Sequence, residues 1–111
     1  MGFDVDQLMS MAADLLDLTP DGWERTIFFD SSKLAEETGE VAQTLNKSSF
    51  TTQDTAHELA DVIVVCCVIA LKKNIDLNKA ISEKQKKRIQ KLVDKYHEGK
   101  VPEGMIFRVP V

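Results

Sequence analysis

No apolar run in this chain is long enough to cross a bilayer. The longest, Val62 to Leu71, covers ten residues, where a spanning helix needs about 20. No cationic, apolar N-terminal stretch resembles a secretion signal. The only two cysteines, Cys66 and Cys67, are adjacent and lie inside the apolar run. That placement suits buried thiols better than a disulfide or a metal pair, and with the missing signal it sets the expectation of a cytoplasmic protein. Histidine is equally sparse. With His57 and His97 alone, the chain lacks the repeated Glu-x-x-His of di-iron bundles and the second histidine of a zinc-protease helix. His57 therefore reads as a polar neighbour of a site or a surface residue. Internal repeats and low-complexity tracts are absent as well.

What is present is an ordinary globular composition, 43% hydrophobic and 29% charged over 111 residues, which excludes wholesale disorder and fits one domain. The net charge of −4 conceals an uneven distribution. Residues 1–71 carry 3 basic and 13 acidic side chains, and residues 72–100 carry 10 basic and 4 acidic. An acidic half beside a basic half suits a ligand that needs both, such as a metal–polyphosphate. It disfavours DNA, which the acidic half would repel.

The hydrophobic pattern is helical nearly throughout. Asp4 is positioned to cap a first helix carrying Val5, Leu8, Met9, Ala12, Leu15 and Leu16 at three- and four-residue spacing. Thr19-Pro20-Asp21-Gly22 is a break that also suits a new helix start, with Thr19 as cap and Pro20 first. A second helix is expected from about Asp30 or slightly earlier to Asn46, with Leu34, Val41 and Leu45 on its buried side and Glu37 adjoining that stripe. After a linker at 47–50, Thr51 or Thr52 caps a third helix reaching about Lys73. From Val62 onwards it is apolar all round, which implies an enclosed position. Asp76 is expected to cap a fourth helix from Leu77 to about His97, with Gly99 just past its end. Residues 100–111 read as a C-terminal arm. The expectation is an all-α, four-helix bundle-like domain over residues 1–111.

Two acidic clusters stand out, Glu36-Glu37-Thr38-Gly39-Glu40 and Glu58-Leu59-Ala60-Asp61. Each repeats an acid at i and i+3, which places two carboxylates on one helix face, where like charges repel. If the second and third helices pack antiparallel, Glu37, Glu40, Glu58 and Asp61 converge, and a divalent cation would turn their repulsion into binding. An all-oxygen set suits Mg²⁺ or Mn²⁺ far better than zinc. Gly39, costly inside a helix, would admit the close approach of a backbone or ligand. Among the aromatics, Phe28, Phe29 and Phe50 read as core, whereas Trp23, following a Pro-Asp-Gly turn, reads as a pocket wall.

Lys33-Leu34-Ala35-Glu36-Glu37-Thr38-Gly39-Glu40-Val41, followed by Glu58-Leu59-Ala60-Asp61-Val62, resembles the paired ExxE and ExxD signature of MazG-like nucleoside triphosphate pyrophosphohydrolases, an all-α superfamily. The likeness runs from about Trp23 to Arg88. Each short motif is weak alone, and their order together with the basic helix downstream makes the signal specific. The resemblance implies Mg²⁺-dependent hydrolysis of an NTP to the monophosphate and pyrophosphate. It makes Glu37, Glu40, Glu58 and Asp61 metal ligands and matches Lys84 and Arg88 to a phosphate-gripping K-x-x-x-[NR] element, with Lys91 adding charge nearby. Glu36, or one of the ligands Glu37 and Glu40, would take the proton of the attacking water, and Trp23 is the candidate for stacking on the base.

Phosphoribosyl-ATP cleavage is the alternative within the same chemistry, although its enzymes usually show a shorter, more compact domain after an EExxE run. A helical module that binds metal–nucleotide without turnover is the alternative outside catalysis. A helix apolar all round leaves more hydrophobic surface than a lone monomer hides, and similar proteins are dimers or tetramers, so a homo-oligomer is expected.

Overall fold

The computed structural model describes residues 2–97, which form four α-helices and no strand: α1 (Val5–Asp17), α2 (Ile27–Asn46), α3 (Thr52–Lys72) and α4 (Leu77–His97). The all-α expectation holds. The chain divides into two compact units, Met1–Asn78 and Lys79–Val111. Gly99 and the arm at 100–111 lie outside the described residues.

Three helix starts follow directly from their caps. Asp4 and Gln7 form a reciprocal capping box on α1, each backbone N–H donating to the other's side chain at 2.8 Å. Thr51 and Asp54 repeat the device on α3, at 2.8 and 3.2 Å. Thr26 Oγ1 accepts from the Phe29 N–H and opens α2. Such caps satisfy backbone donors that the first helical turn leaves without partners. The break at Thr19–Gly22 is present, and the helix start that Thr19 and Pro20 could also have made does not form. Pro20–Trp23 is instead a turn closed by the Trp23 N–H on the Pro20 carbonyl at 3.1 Å, with Gly22 at φ 83°. A left-handed residue at that position ends any helix begun at Pro20. At the other end of α3, the N–H groups of Asn74 and Ile75 return to the carbonyls of Leu71 and Ala70. Asn74 takes φ 53° there, the double-bonded stop in which asparagine substitutes for glycine.

The apolar core of the first unit lies between α1 and α3. Ala12, Cys67 and Val68 are buried at its centre, with Leu8, Met9, Leu16, Val64, Leu71 and Leu77 packed around them. The face of α2 that meets α3 is different in kind. The buried residues of α2 are Asp30, Glu37 and Thr44, all polar and seven residues apart. Asp30 meets Lys72 at the C-terminal end of α3, and Thr44 accepts a 3.0 Å hydrogen bond from the Thr55 hydroxyl near its N-terminal end. The two helices are therefore antiparallel.

This seam corrects several expectations. Leu34 and Val41 are only half-buried and Leu45 is 70% exposed, while Glu37 occupies the buried line itself. The hydrophobic period of α2 marked a face that the described residues cover only in part. On α3, Val65, Cys67, Val68 and Ala70 are buried, but Ile63 and Cys66 are exposed, so the apolar run is not fully enclosed and only one of the two thiols is hidden. Phe28, Phe29 and Phe50 are exposed and belong to no core. Beyond its own helix backbone, no described atom lies within 4 Å of the position a Cβ at Gly39 would occupy, so Gly39 answers to no close backbone approach among the described residues.

Val68, with no exposed surface, is the most sensitive point of the α1–α3 core. Val68→Ala should destabilise the protein by about 2 kcal/mol, the cost of lost burial plus a cavity, measured as a lower urea midpoint at unchanged slope.

Candidate metal and nucleotide site

Antiparallel packing brings the first acidic motif of α2 opposite that of α3. Glu37, Glu40 and Glu58 each present a carboxylate oxygen within 4.8 Å of the other two. Glu37 is buried, and Glu40 and Glu58 are half-buried. One oxygen of Glu37 and one of Glu58, both Oε2, are shut off from solvent without a hydrogen-bond partner. Asp61, one turn beyond Glu58, is exposed and stands outside the group of three, although its negative charge is felt at Glu37.

The electrostatics follow from that crowding. Burial chiefly holds the Glu37 carboxyl above its ordinary range, reinforced by a hydrogen bond and charge from Glu40 and by the charge of Asp61, while Lys33 works the other way. Glu40 is raised first by a hydrogen bond with Glu58 and then by burial. Adjacent carboxyls that cannot all ionise retain protons in this manner. Lys33 Nζ lies 3.7 Å from both Glu36 and Glu37. Glu36 is exposed and, as the next residue along, points about 100° round the helix from Glu37.

The donor set fits a hard divalent cation. Three carboxylates spanning less than 5 Å are spaced as ligands around one ion with oxygen distances of about 2.0–2.6 Å, and the unpartnered buried oxygens of Glu37 and Glu58 are groups such an ion would satisfy. No thiol or imidazole belongs to the cluster. His57 is exposed, with its ring Nε2 2.7 Å from Gln53 Nε2.

Trp23, 75% exposed, lines a cavity of about 580 Å³ together with Thr19, Pro20, Glu24, Arg25 and Phe29. Within the second unit, Lys84, Arg88 and Lys91 share a shallow depression of about 200 Å³ with Lys87, and Arg88 donates to Gln85 at 3.0 Å. Lys87 escaped the motif, yet its i+3 relation to Lys84 and i−4 relation to Lys91 place it on their face.

A family model of the MazG nucleotide pyrophosphohydrolase domain matches residues 31–96, more than half of the sequence. The chain belongs to this family. No curated protein and no solved structure matches it. Membership assigns the chain nucleotide pyrophosphohydrolase chemistry in general, with a nucleotide as its ligand class. The matched stretch contains both acidic clusters of the MazG domain and the basic face of α4, whereas Trp23 and Arg25 precede it. Among the described residues no helix is long and apolar enough to cross a membrane.

The raised acids predict a pH dependence of stability. A carboxyl whose folded pKa exceeds its unfolded value, near 4.5 for Glu37 and Glu40, disfavours the fold when ionised, because the folded state binds more protons. In EDTA, the melting temperature should rise as pH falls from 8 towards 4.5, and Glu40→Gln should flatten the rise. Asp54, held low chiefly by the Thr51 backbone N–H, acts in a lower window. Its contribution is complete above its unfolded value of 3.8 and is lost as pH falls through the folded one. A thermal-melt series across pH checks both.

Proposed function

We propose that this chain hydrolyses nucleoside triphosphates, dNTPs or non-standard NTPs, to the monophosphate and pyrophosphate with Mg²⁺, for which Mn²⁺ can substitute. The observation that carries this reading is the convergence of Glu37, Glu40 and Glu58 with unpartnered buried oxygens in a family of nucleotide pyrophosphohydrolases. In this reading the three glutamates hold the cation and Asp61 supplies a further carboxylate. When bound, the ion neutralises phosphate charge and lowers the pKa of a coordinated water.

The chain's own groups do the rest. Glu36, or Glu37 or Glu40 if free of the ion, accepts the proton of the attacking water as general base. Lys33 offsets part of the negative charge at Glu36 and Glu37. Lys84, Arg88 and Lys91, with Lys87, take the phosphate charge. Trp23 offers an aromatic face to the base.

We propose further that the protein is a dimer or tetramer. Leu45, Leu59 and Ile63 are large hydrophobic side chains of α2 and α3 that remain between 48% and 70% exposed, more than an isolated chain leaves uncovered without reason. Light scattering at micromolar concentration should give a multiple of the 12.4 kDa chain mass. A monodisperse monomer would refute it.

The reaction itself is tested by ion-exchange analysis of products from NTPs, dNTPs and phosphoribosyl-ATP with Mg²⁺. Monophosphate and pyrophosphate should appear in equal amounts and vanish in EDTA. Glu40→Gln should lower the rate at least about 100-fold, since disturbing even the groups that orient metal ligands costs 10- to 100-fold. Metal-dependent nucleotide binding without turnover would instead identify a binding module.

A further inference from the structure

Asp30 is a carboxylate with no exposed surface, held by two cations from opposite directions in sequence. Arg25 Nε donates to its Oδ1 at 2.6 Å, and Lys72 Nζ lies 2.6 Å from its Oδ2. Lys72 also donates to the backbone carbonyl of Arg25. One cation would neutralise the buried carboxylate, so the second leaves an excess positive charge. A simple structural pin between α2 and α3 needs only Asp30 and Lys72. What the third member adds is a fixed arginine.

The placement of that arginine is informative. Its guanidinium stacks on the Phe29 ring, 4.9 Å from the centroid, and Arg25 and Phe29 both line the cavity bordered by Trp23. Nε is engaged by Asp30, while the two terminal nitrogens have no protein partner among the described residues. Rigid donors set beside aromatic and proline walls suit a planar heteroaromatic ring with acceptor atoms on its edge. Glu24 on the same wall adds an acceptor for ring amino groups. The seven residues from Asp30 to Glu37 correspond to a rise of about 10 Å along α2, a separation that the sugar and phosphates of a nucleotide can bridge.

The geometry points to Arg25 as a base-recognition residue, and to Asp30 and Lys72 as positioning residues that hold its guanidinium at the edge of the Trp23 pocket. This rests on the nucleotide-hydrolase reading and extends it to the choice of base. Trp23 is the only tryptophan in the sequence, so its fluorescence reports pocket occupancy without turnover.

The experiment titrates the four deoxynucleoside monophosphates in EDTA, which separates base binding from the metal site, and follows Trp23 quenching. The wild type should rank the four. Arg25→Ala should weaken the tightest about tenfold, the loss of a charged hydrogen-bond donor, and compress the ranking. Asp30→Asn should do the same, and should add nothing when combined with Arg25→Ala, because it acts through that residue. A general structural role for Asp30 would lower the melting temperature without altering the ranking. If Asp30→Asn does not fold, the triple change Arg25→Met, Asp30→Leu, Lys72→Met tests the Arg25 assignment in a folded chain, since apolar replacement of a buried ionic triad preserves folding in known cases. Folded triple variant with the weakened binding of Arg25→Ala supports the assignment. Wild-type affinity and ranking in Arg25→Ala or in the folded triple variant overturns it, as does a full additional loss from Asp30→Asn on top of Arg25→Ala. Ranked quenching that depends on Arg25, with no turnover in Mg²⁺, would overturn the reaction and uphold the pocket. Turnover with an unchanged KM in Arg25→Ala would overturn the pocket alone.

Discussion

The polar seam between α2 and α3 governs what the first unit can do. Its buried residues on α2, at seven-residue intervals, are a carboxylate between two cations, a carboxylate among carboxylates and a threonine bonded to a threonine. The two ends attract and the middle repels. Because the ends fix the helices in register, the three glutamates cannot separate simply by sliding α2 along α3. An acidic cluster on one exposed helix would relax by swinging its side chains into water. Here the register keeps the three carboxylates within 4.8 Å of one another, with one oxygen each of Glu37 and Glu58 buried and unpartnered.

Stability and chemistry are thus divided between two interfaces of one helix. The α1 side of α3 buries Cys67 and Val68 against Ala12 and supplies hydrophobic burial. The α2 side buries charge, where burial is unfavourable unless compensated. The raised proton affinity of Glu37 and Glu40 expresses that uncompensated middle, and it makes the same residues suitable for a hard cation or a proton. Repulsion that would be a defect in a structural bundle becomes, in the function proposed for this MazG domain, affinity for a cation.

The sequence made the helices legible because their limits are local. Asp4 with Gln7 and Thr51 with Asp54 can be read as caps within four residues of chain, and the structure places the starts of α1 and α3 there. Glu37, Glu40 and Glu58 were legible for a related reason, as i and i+3 spacings on facing helices. The Arg25–Asp30–Lys72 cluster was not, because Lys72 joins Arg25 and Asp30 only after α3 has folded back along α2. Nor was the partition of hydrophobic residues. Leu34, Val41 and Leu45 mark an apolar period correctly, yet periodicity cannot say whether a face meets its own chain. For the same reason Phe28, Phe29 and Phe50 read as core and proved exposed.

The two adjacent thiols differ in their access to solvent. Cys66 is exposed, while Cys67 is 3% exposed within the α1–α3 core, where burial raises its thiol pKa and suppresses the reactive thiolate. A thiol reagent reaches the first from solvent and the second only when α1 lifts away from α3. One residue of spacing therefore gives the molecule an internal clock: the lag between the two modifications measures how often its hydrophobic core opens.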